Sequence, residues 1–239
     1  MLNKLEESTK DILRLCSVPS IVSTLFKMGF QNVFIRGIKP LVNTENVMVG
    51  PAVTVRSIPI REDLREGLVT GSLENLQAKA FEETSEGSVL VCEAGGVAET
   101  AFMGDMVATA FKVKRVEGVV IDGSVNDRYA ISKIGLPIYS IGDASLPFNS
   151  HRFITDLNVP IGCGGVAIFP GDILVGDQNG VAVIPKAKVR EVAEKAKERE
   201  DIERFCGEKL KNGAPLLGTY PPNEATMKEF WINHKKKGG

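Results

Sequence analysis

Apolar residues recur along this chain in two periods. Near residues 4–15 and 18–28 they fall at helical spacing, and Gly29 supplies a stop for the second helix. The stretches "QNVFIRGIKPL" and "GPAVTVRSI" then read as strands, the second rich in Val and Thr. Residues 72–84 return to helical spacing behind a Ser72 cap, and "GSVLVCEAGG" is a strand running into glycines. From there the pattern alternates: a helix from Asp105 to Arg115, a strand over 118–122, a helix over 126–134 and a strand over 137–141. Alternation of this kind predicts parallel strands joined by crossover helices. Beyond residue 158, "VPIGCGGVAIFPGDILVGDQNGVAVIP" sets short apolar runs between Gly, Pro and Asn-Gly turn signals, as an antiparallel or barrel-like layer does.

The end of the chain differs in character. A charged helix is predicted over 186–210, then a Pro-rich link and a terminal helix over 224–234. Val189, Val192, Ala193, Ala196, Ile202 and Phe205 are apolar positions among many charges, too few for a helix buried all round. The helix is either solvated or reaches a second subunit. The expected organisation is an α/β core over 1–185 and a C-terminal helical arm over 186–239 that packs on a neighbouring subunit.

Composition narrows the function. With a formal net charge of −1 over 239 residues, no broad electrostatic pull toward nucleic acid or an anionic membrane is expected. No apolar run approaches the roughly 20 residues of a membrane span, and acids in "MLNKLEESTKDILRL" do not suit a secretory signal. A cytoplasmic location is the expectation. Cys16, Cys92, Cys163 and Cys206 lack metal-site spacing and read as idle thiols in a reducing compartment. His151 and His234 are the only histidines, which excludes a histidine-rich metal site.

The chemistry concentrates in "AETAFMGDMVATAFKVKRVEG" and "VVIDGSVNDRYAI". Gly104-Asp105 opens a helix, where the N–H groups of Met106 and Val107 can receive a carboxylate. Asp122-Gly123 ends a strand as turn chemistry, and Asn126-Asp127 opens the next helix. Successive loops at one sheet edge lie side by side, so Asp105 and Asp127 can face one cleft. Two carboxylates without nearby histidine or cysteine suit Mg²⁺ or Mn²⁺. The plain alternative is a capping role for Asp105 and a helix-dipole role for Asp127.

These segments resemble the family of the regulator of ribonuclease activity A (RraA-like proteins) and the class II aldolases acting on 4-hydroxy-4-methyl-2-oxoglutarate and 4-carboxy-4-hydroxy-2-oxoadipate. The aldolases' signature is Asp, twenty residues, then Arg-Asp. Here Asp105 is followed by twenty residues, Met106 to Val125, and then Asn126-Asp127. "GIKPL", "VGPAVTV" and "VPIGCGGVAIFPGDILVGDQNGVAVIP" also resemble the family's core, so the likeness spans about 15–215. It implies a layered α/β/β swivelling-type fold assembled as trimers or hexamers, with active sites between subunits. It also implies a metal-dependent lyase acting on a small 2-oxo acid through a pyruvate enolate. Asp127 would be the direct metal ligand, and Asp105 would hold a metal-bound water. The backbone of Gly104, Met106 and Val107 would receive the substrate's carboxylate, and Glu200 would be the acid lent to a neighbouring site. Asn126 departs from the pattern: an uncharged amide replaces the guanidinium that grips the substrate. Arg128 or Arg152 is a candidate substitute for that cation, and Ser23 stands where many members have Asp. These departures leave open a non-catalytic regulatory protein on the same fold, or a metal enzyme for a sugar acid. A methyltransferase is excluded, since no Gly-rich nucleotide fingerprint follows a strand.

Overall fold

The computed structural model describes residues 5–42 and 46–237, with side chains as far as 233, so the His234 side chain lies outside the described residues. Two helices come first, α1 (Glu7–Arg14) and α2 (Val18–Lys27), then β1 (Lys39–Pro40) and β2 (Met48–Pro59). α3 (Glu62–Thr70), α4 (Leu76–Glu83), β3 (Val89–Cys92), β4 (Thr100–Ala101) and α5 (Asp105–Val113) follow. Next are β5 (Gly118–Ile121), β6 (Ser124–Val125), α6 (Arg128–Ile134), β7 (Ile138–Ser140), β8 (Gly142–Asp143) and β9 (Leu146–Pro147). β10 (Arg152–Leu157), β11 (Ile161–Cys163), β12 (Val166–Ile168), β13 (Ile173–Asp177) and β14 (Gly180–Ile184) complete the strands. The chain ends in α7 (Val189–Lys211), α8 (Leu216–Thr219) and α9 (Glu224–Lys237).

The main sheet runs β1-β7-β5-β3-β2-β13-β14, with β10 also on β2. Its centre, β2-β3-β5-β7, is parallel, as the alternating pattern requires, while β13, β14 and β10 join antiparallel. Period-two side-chain direction explains why these strands are continuously apolar. Leu90, Cys92, Val119 and Ile121 face a core shared with Phe102, Ala108, Phe111 and Ile131 from the α5–α6 side. Val89, Val91 and Val120 face the opposite core with Met48, Tyr139, Cys163, Leu174 and Val181, inside the nearly closed sheet. A third core joins Val49, Val175 and Ala182 to Leu13, Ile21 and Leu25 of α1 and α2. Val192, Ala193 and Ala196 of α7 belong to it, so the first half of the arm helix packs on its own chain. This is the layered α/β fold with C-terminal helices that the sequence led us to expect.

Three local readings differ. "QNVFIRGIKPL" is mostly irregular: Gly37 adopts φ +79 and breaks the extension, leaving a single bridge, Phe34 to Ala182, and the two-residue β1. The helix expected behind Ser72 begins later, because the Asn75 side chain accepts from the N–H groups of Gln77 and Ala78. Ahead of it lies α3, which Gly71 ends in the left-handed conformation at φ 75. Finally, α6 starts at Arg128, because β6 and a bond from the Asn126 N–H to the Met103 carbonyl (2.9 Å) hold the preceding residues.

Candidate functional site

The site is built by a second, smaller sheet at the carboxyl ends of β3 and β5. β4, β6, β8 and β9 lie parallel in the order β8-β6-β4-β9, and Ala101 pairs with Ser124. The Phe102 N–H donates to Ser124 O at 2.9 Å, and the Asn126 N–H to Met103 O at 2.9 Å. These two bonds zip residues 101–104 against residues 124–127. The start of α5 thereby meets the start of α6.

Gly104 is required where they meet. A Cβ there would overlap Asn126 Oδ1 and stand 2.6 Å from Asp127 Oδ2, so only a bare Cα fits beneath the two side chains. Gly104 is also the N-cap of α5, with no side chain to offer the helix, and Asp105 follows as its first residue. Asp127 is the N-cap of α6 but its carboxylate makes no capping bond. Neither carboxylate makes a hydrogen bond or ion pair among the described residues, so the plain capping role does not account for them. Asp127 moreover sits at φ 55, ψ 35, a left-handed conformation that L residues adopt at a cost. Asn126 Oδ1 is buried and has no partner.

The remaining candidates are placed as follows. Met106 is exposed and Val107 half-buried, both in the first turn of α5, whose leading N–H groups have no intrahelical acceptor. Arg128 is exposed and pairs with Asp143 at 3.4 Å. Glu200 is tied elsewhere: its Oε1 accepts from the Ser17 N–H (2.8 Å) and Ser17 Oγ (2.7 Å), at the N-terminus of α2. Burial alone would raise the Glu200 carboxyl, but bonds from Ser17 and Ser20 and the Arg199 charge together hold it below the usual carboxylate range. The structure thus brings Gly104, the residue before Asp105, against Asn126 and Asp127 and, within one chain, leaves Glu200 and Arg128 bonded to other partners.

Beside this site lies a polar cluster only partly visible in the sequence. Asp122 is buried, and its carboxyl accepts from the N–H groups of Ala94 (2.5 Å), Gly95 (3.1 Å) and Gly164 (3.3 Å). Burial pushes this carboxyl up, against the pull of those three bonds. Arg152, also buried, donates from Nε to Ser57 Oγ (3.0 Å) and from Nη2 to Ser57 O (2.6 Å), and its guanidinium lies over Gly95. Glu93 Oε2 is buried nearby without a partner. Nothing in the pattern around Glu93 announces this; a carboxylate one residue past an apolar strand is the sole signal. All four cysteines are free and buried, and burial raises each thiol, Cys16 to about 11.

The donor set suits a hard cation. Two carboxylates without protein partners and one orphaned amide oxygen are oxygen ligands, as Mg²⁺ or Mn²⁺ prefers. Among the described residues no group of three or more His, Cys, Asp or Glu could hold a metal, so such an ion would keep several waters. On a single chain Asp127 is exposed and Asp105 and Asn126 are half-buried. Neither the 160 Å³ cavity beneath α3 and α4 nor the 670 Å³ cavity at the arm is lined by Asp105, Asn126 or Asp127.

The chain is similar to several known proteins. The model of the RraA-like family, described as "Aldolase/RraA", matches residues 18–183. A Halalkalibacterium halodurans protein named "Putative 4-hydroxy-4-methyl-2-oxoglutarate aldolase" is 38% identical over 164 residues, 68% of this chain and 71% of its own length. An uncharacterized Methanocaldococcus jannaschii protein is 32% identical over 209 residues, 86% of this chain and 90% of its own. The crystal structure of Streptomyces coelicolor RraAS2, described as an unusual member of the RNase ES inhibitor RraA family, superposes with a TM-score of 0.76 at 30% identity. It covers 85% of this chain and 97% of that one. The family model covers more than half of the sequence and these relatives match it over most of their length: the chain belongs to the RraA-like family.

Proposed function

We propose that the protein is a divalent-metal-dependent lyase that cleaves or decarboxylates a small 2-oxo acid. The observation that carries this reading is the packing of Asn126 and Asp127 onto Gly104, beside an Asp105 that caps nothing. Relatives named as aldolases support a lyase-type activity. Asp127 would hold Mg²⁺ or Mn²⁺ directly and Asp105 through a water. When bound, the ion supplies a Lewis acid that draws electron density from the substrate's carbonyl.

The chain's own groups orient the substrate. The free N–H groups of Met106 and Val107 receive its carboxylate at the positive end of α5. Asn126 offers one neutral hydrogen bond where a guanidinium would offer a charged fork. Loss of such a stabiliser costs about 10²–10³ in rate, so a slow enzyme is expected. Because Asp127 is exposed on one chain, assembly as a trimer or hexamer would cover it, with α7 and α9 among the elements available to a neighbour.

Asn126 is also the observation that favours a second reading, a regulatory protein that binds partners without turnover, as the inhibitor description of the Streptomyces relative's family suggests. One experiment separates the two. Purified protein is incubated with Mg²⁺ or Mn²⁺ and oxaloacetate while pyruvate is followed. Turnover that disappears with EDTA and in Asp127→Ala supports the lyase; no turnover together with no affinity for either metal favours the regulator.

A further inference from the structure

The strand that leads into Gly104 is held from one side by backbone alone, through the Phe102 N–H on Ser124 O and the Asn126 N–H on Met103 O. A third bond reaches it from outside the small sheet. Gln77 of α4 donates from Nε2 to the Phe102 carbonyl at 2.5 Å. Phe102 is 1% exposed, so little water is at hand to take over if that donor is lost.

The helix that carries Gln77 is itself well seated. Asn75 Oδ1 accepts from the N–H groups of Gln77 (3.1 Å) and Ala78 (3.2 Å), which places Gln77 in a capped first turn. Phe81, one turn on and on the same face, packs edge-on against Phe102 at 5.3 Å and against Phe111 of α5 at 5.8 Å between ring centroids. Thus α4 rests both on the residue that Gln77 bonds and on the helix that Asp105 opens. An apolar side chain of the same length would fill the half-buried place of Gln77 equally well. What glutamine adds there is the donor.

We propose that Gln77 is a positioning residue for the acid pair. By fixing the Phe102 carbonyl it sets how residues 101–104 lie against residues 124–127, and so where Asp105 stands relative to Asp127. It acts through Phe102, Met103 and Gly104 and is neither a metal ligand nor a substrate contact. The inference rests on the metal-binding reading of those acids given above.

The test compares two variants of the full chain. Gln77→Met keeps the length and loses the donor. Thr84→Val removes a bond at the far end of the same helix, Thr84 Oγ1 to Ala80 O at 2.6 Å, and leaves Gln77 in place. Mn²⁺ dissociation constants come from electron paramagnetic resonance, amide hydrogen exchange is followed at Phe102 and Asn126, and urea unfolding reports stability. Both variants are expected to lower the urea midpoint. Only Gln77→Met should weaken Mn²⁺ binding, by about tenfold or more, as loss of a partner behind a ligand does. It alone should also speed exchange of the two amides beyond what its urea midpoint explains. Gln77→Asn, whose amide falls short of the carbonyl, should show the same two changes and serves if Gln77→Met does not fold. Unchanged Mn²⁺ affinity and exchange in Gln77→Met, or equal changes in Thr84→Val, would overturn the proposal. A wild type without Mn²⁺ affinity sinks the metal reading instead, and the amide exchange then decides by itself whether Gln77 holds this strand.

Discussion

Asp127 lies directly over Gly104, its Oδ2 within 2.6 Å of where a methyl group at that glycine would stand. The two residues are far apart in sequence, and each begins a different helix. Their contact depends on the absence of a side chain at 104. Gly104→Ala should therefore displace Asn126 and Asp127 more than it disturbs the core. Overpacking at the position is expected to cost about 1–3 kcal/mol in urea unfolding. Displacing the acids by even an ångström should lower oxaloacetate kcat/KM by about 10²-fold. An alanine variant with unchanged kcat/KM would separate the chemistry from this contact.

Asp127→Gly should divide stability from function. The left-handed backbone at φ 55 suits glycine, so unfolding free energy is expected to hold or rise by up to about 1 kcal/mol. Metal-dependent turnover should vanish, because the carboxylate is gone. A strained residue whose relief harms only activity is one retained for its side chain. Urea titration beside the EDTA-sensitive pyruvate assay checks both halves.

Glu200→Gln should change the acid limb of the stability curve. The folded state holds this carboxyl below its ordinary value, so its ionised form stabilises the fold above the unfolded value of about 4.3. That contribution is lost as pH falls through the lower, folded value. The wild type should exceed the Gln variant in thermal midpoint at pH 6–7, and the two should converge at strongly acidic pH. A constant gap across the range would mean that Ser17 does not distinguish the charged acid from the amide.

Asp122 behaves oppositely. Asp122→Ala leaves the N–H groups of Ala94, Gly95 and Gly164 without their acceptor and should cost on the order of 3 kcal/mol. Burial raises the folded carboxyl, so its titration favours the fold fully below the unfolded value of about 3.9, and that advantage fades as pH rises through the folded value. The stability gap between wild type and Asp122→Asn should accordingly narrow as pH rises. Denaturant midpoints from pH 3 to pH 8 would show it.

The periodicity of residues 89–140 foretold the parallel strands and crossover helices, because a strand buried on both faces must be apolar at every position. Val89 to Cys92 and Gly118 to Ile121 show this directly, each run dividing its side chains between two cores. The spacing from Asp105 to Asp127 was likewise legible, since consecutive loops of a βαβ unit share one edge. The small sheet of β4, β6, β8 and β9 was not. Its two-residue strands Thr100–Ala101, Ser124–Val125, Gly142–Asp143 and Leu146–Pro147 are too short to carry a period.

By itself, then, the sequence determined which residues must leave water, and so the strands, the helices and the two loops that bear acids. Only the tertiary structure decided what those acids touch. Glu200 looked like an acid free to act at a distance until α2 met it with two donors from Ser17. Asp105 read equally well as a helix cap and Asp127 as a first-turn acid until the structure put Gly104 at the cap of one helix and Asp127, without a capping bond, at the cap of the other. Burial is a property of composition and period, readable along a line. Hydrogen-bond partnership depends on where separate segments meet in space, and the chain reaches that arrangement only when its cores pack.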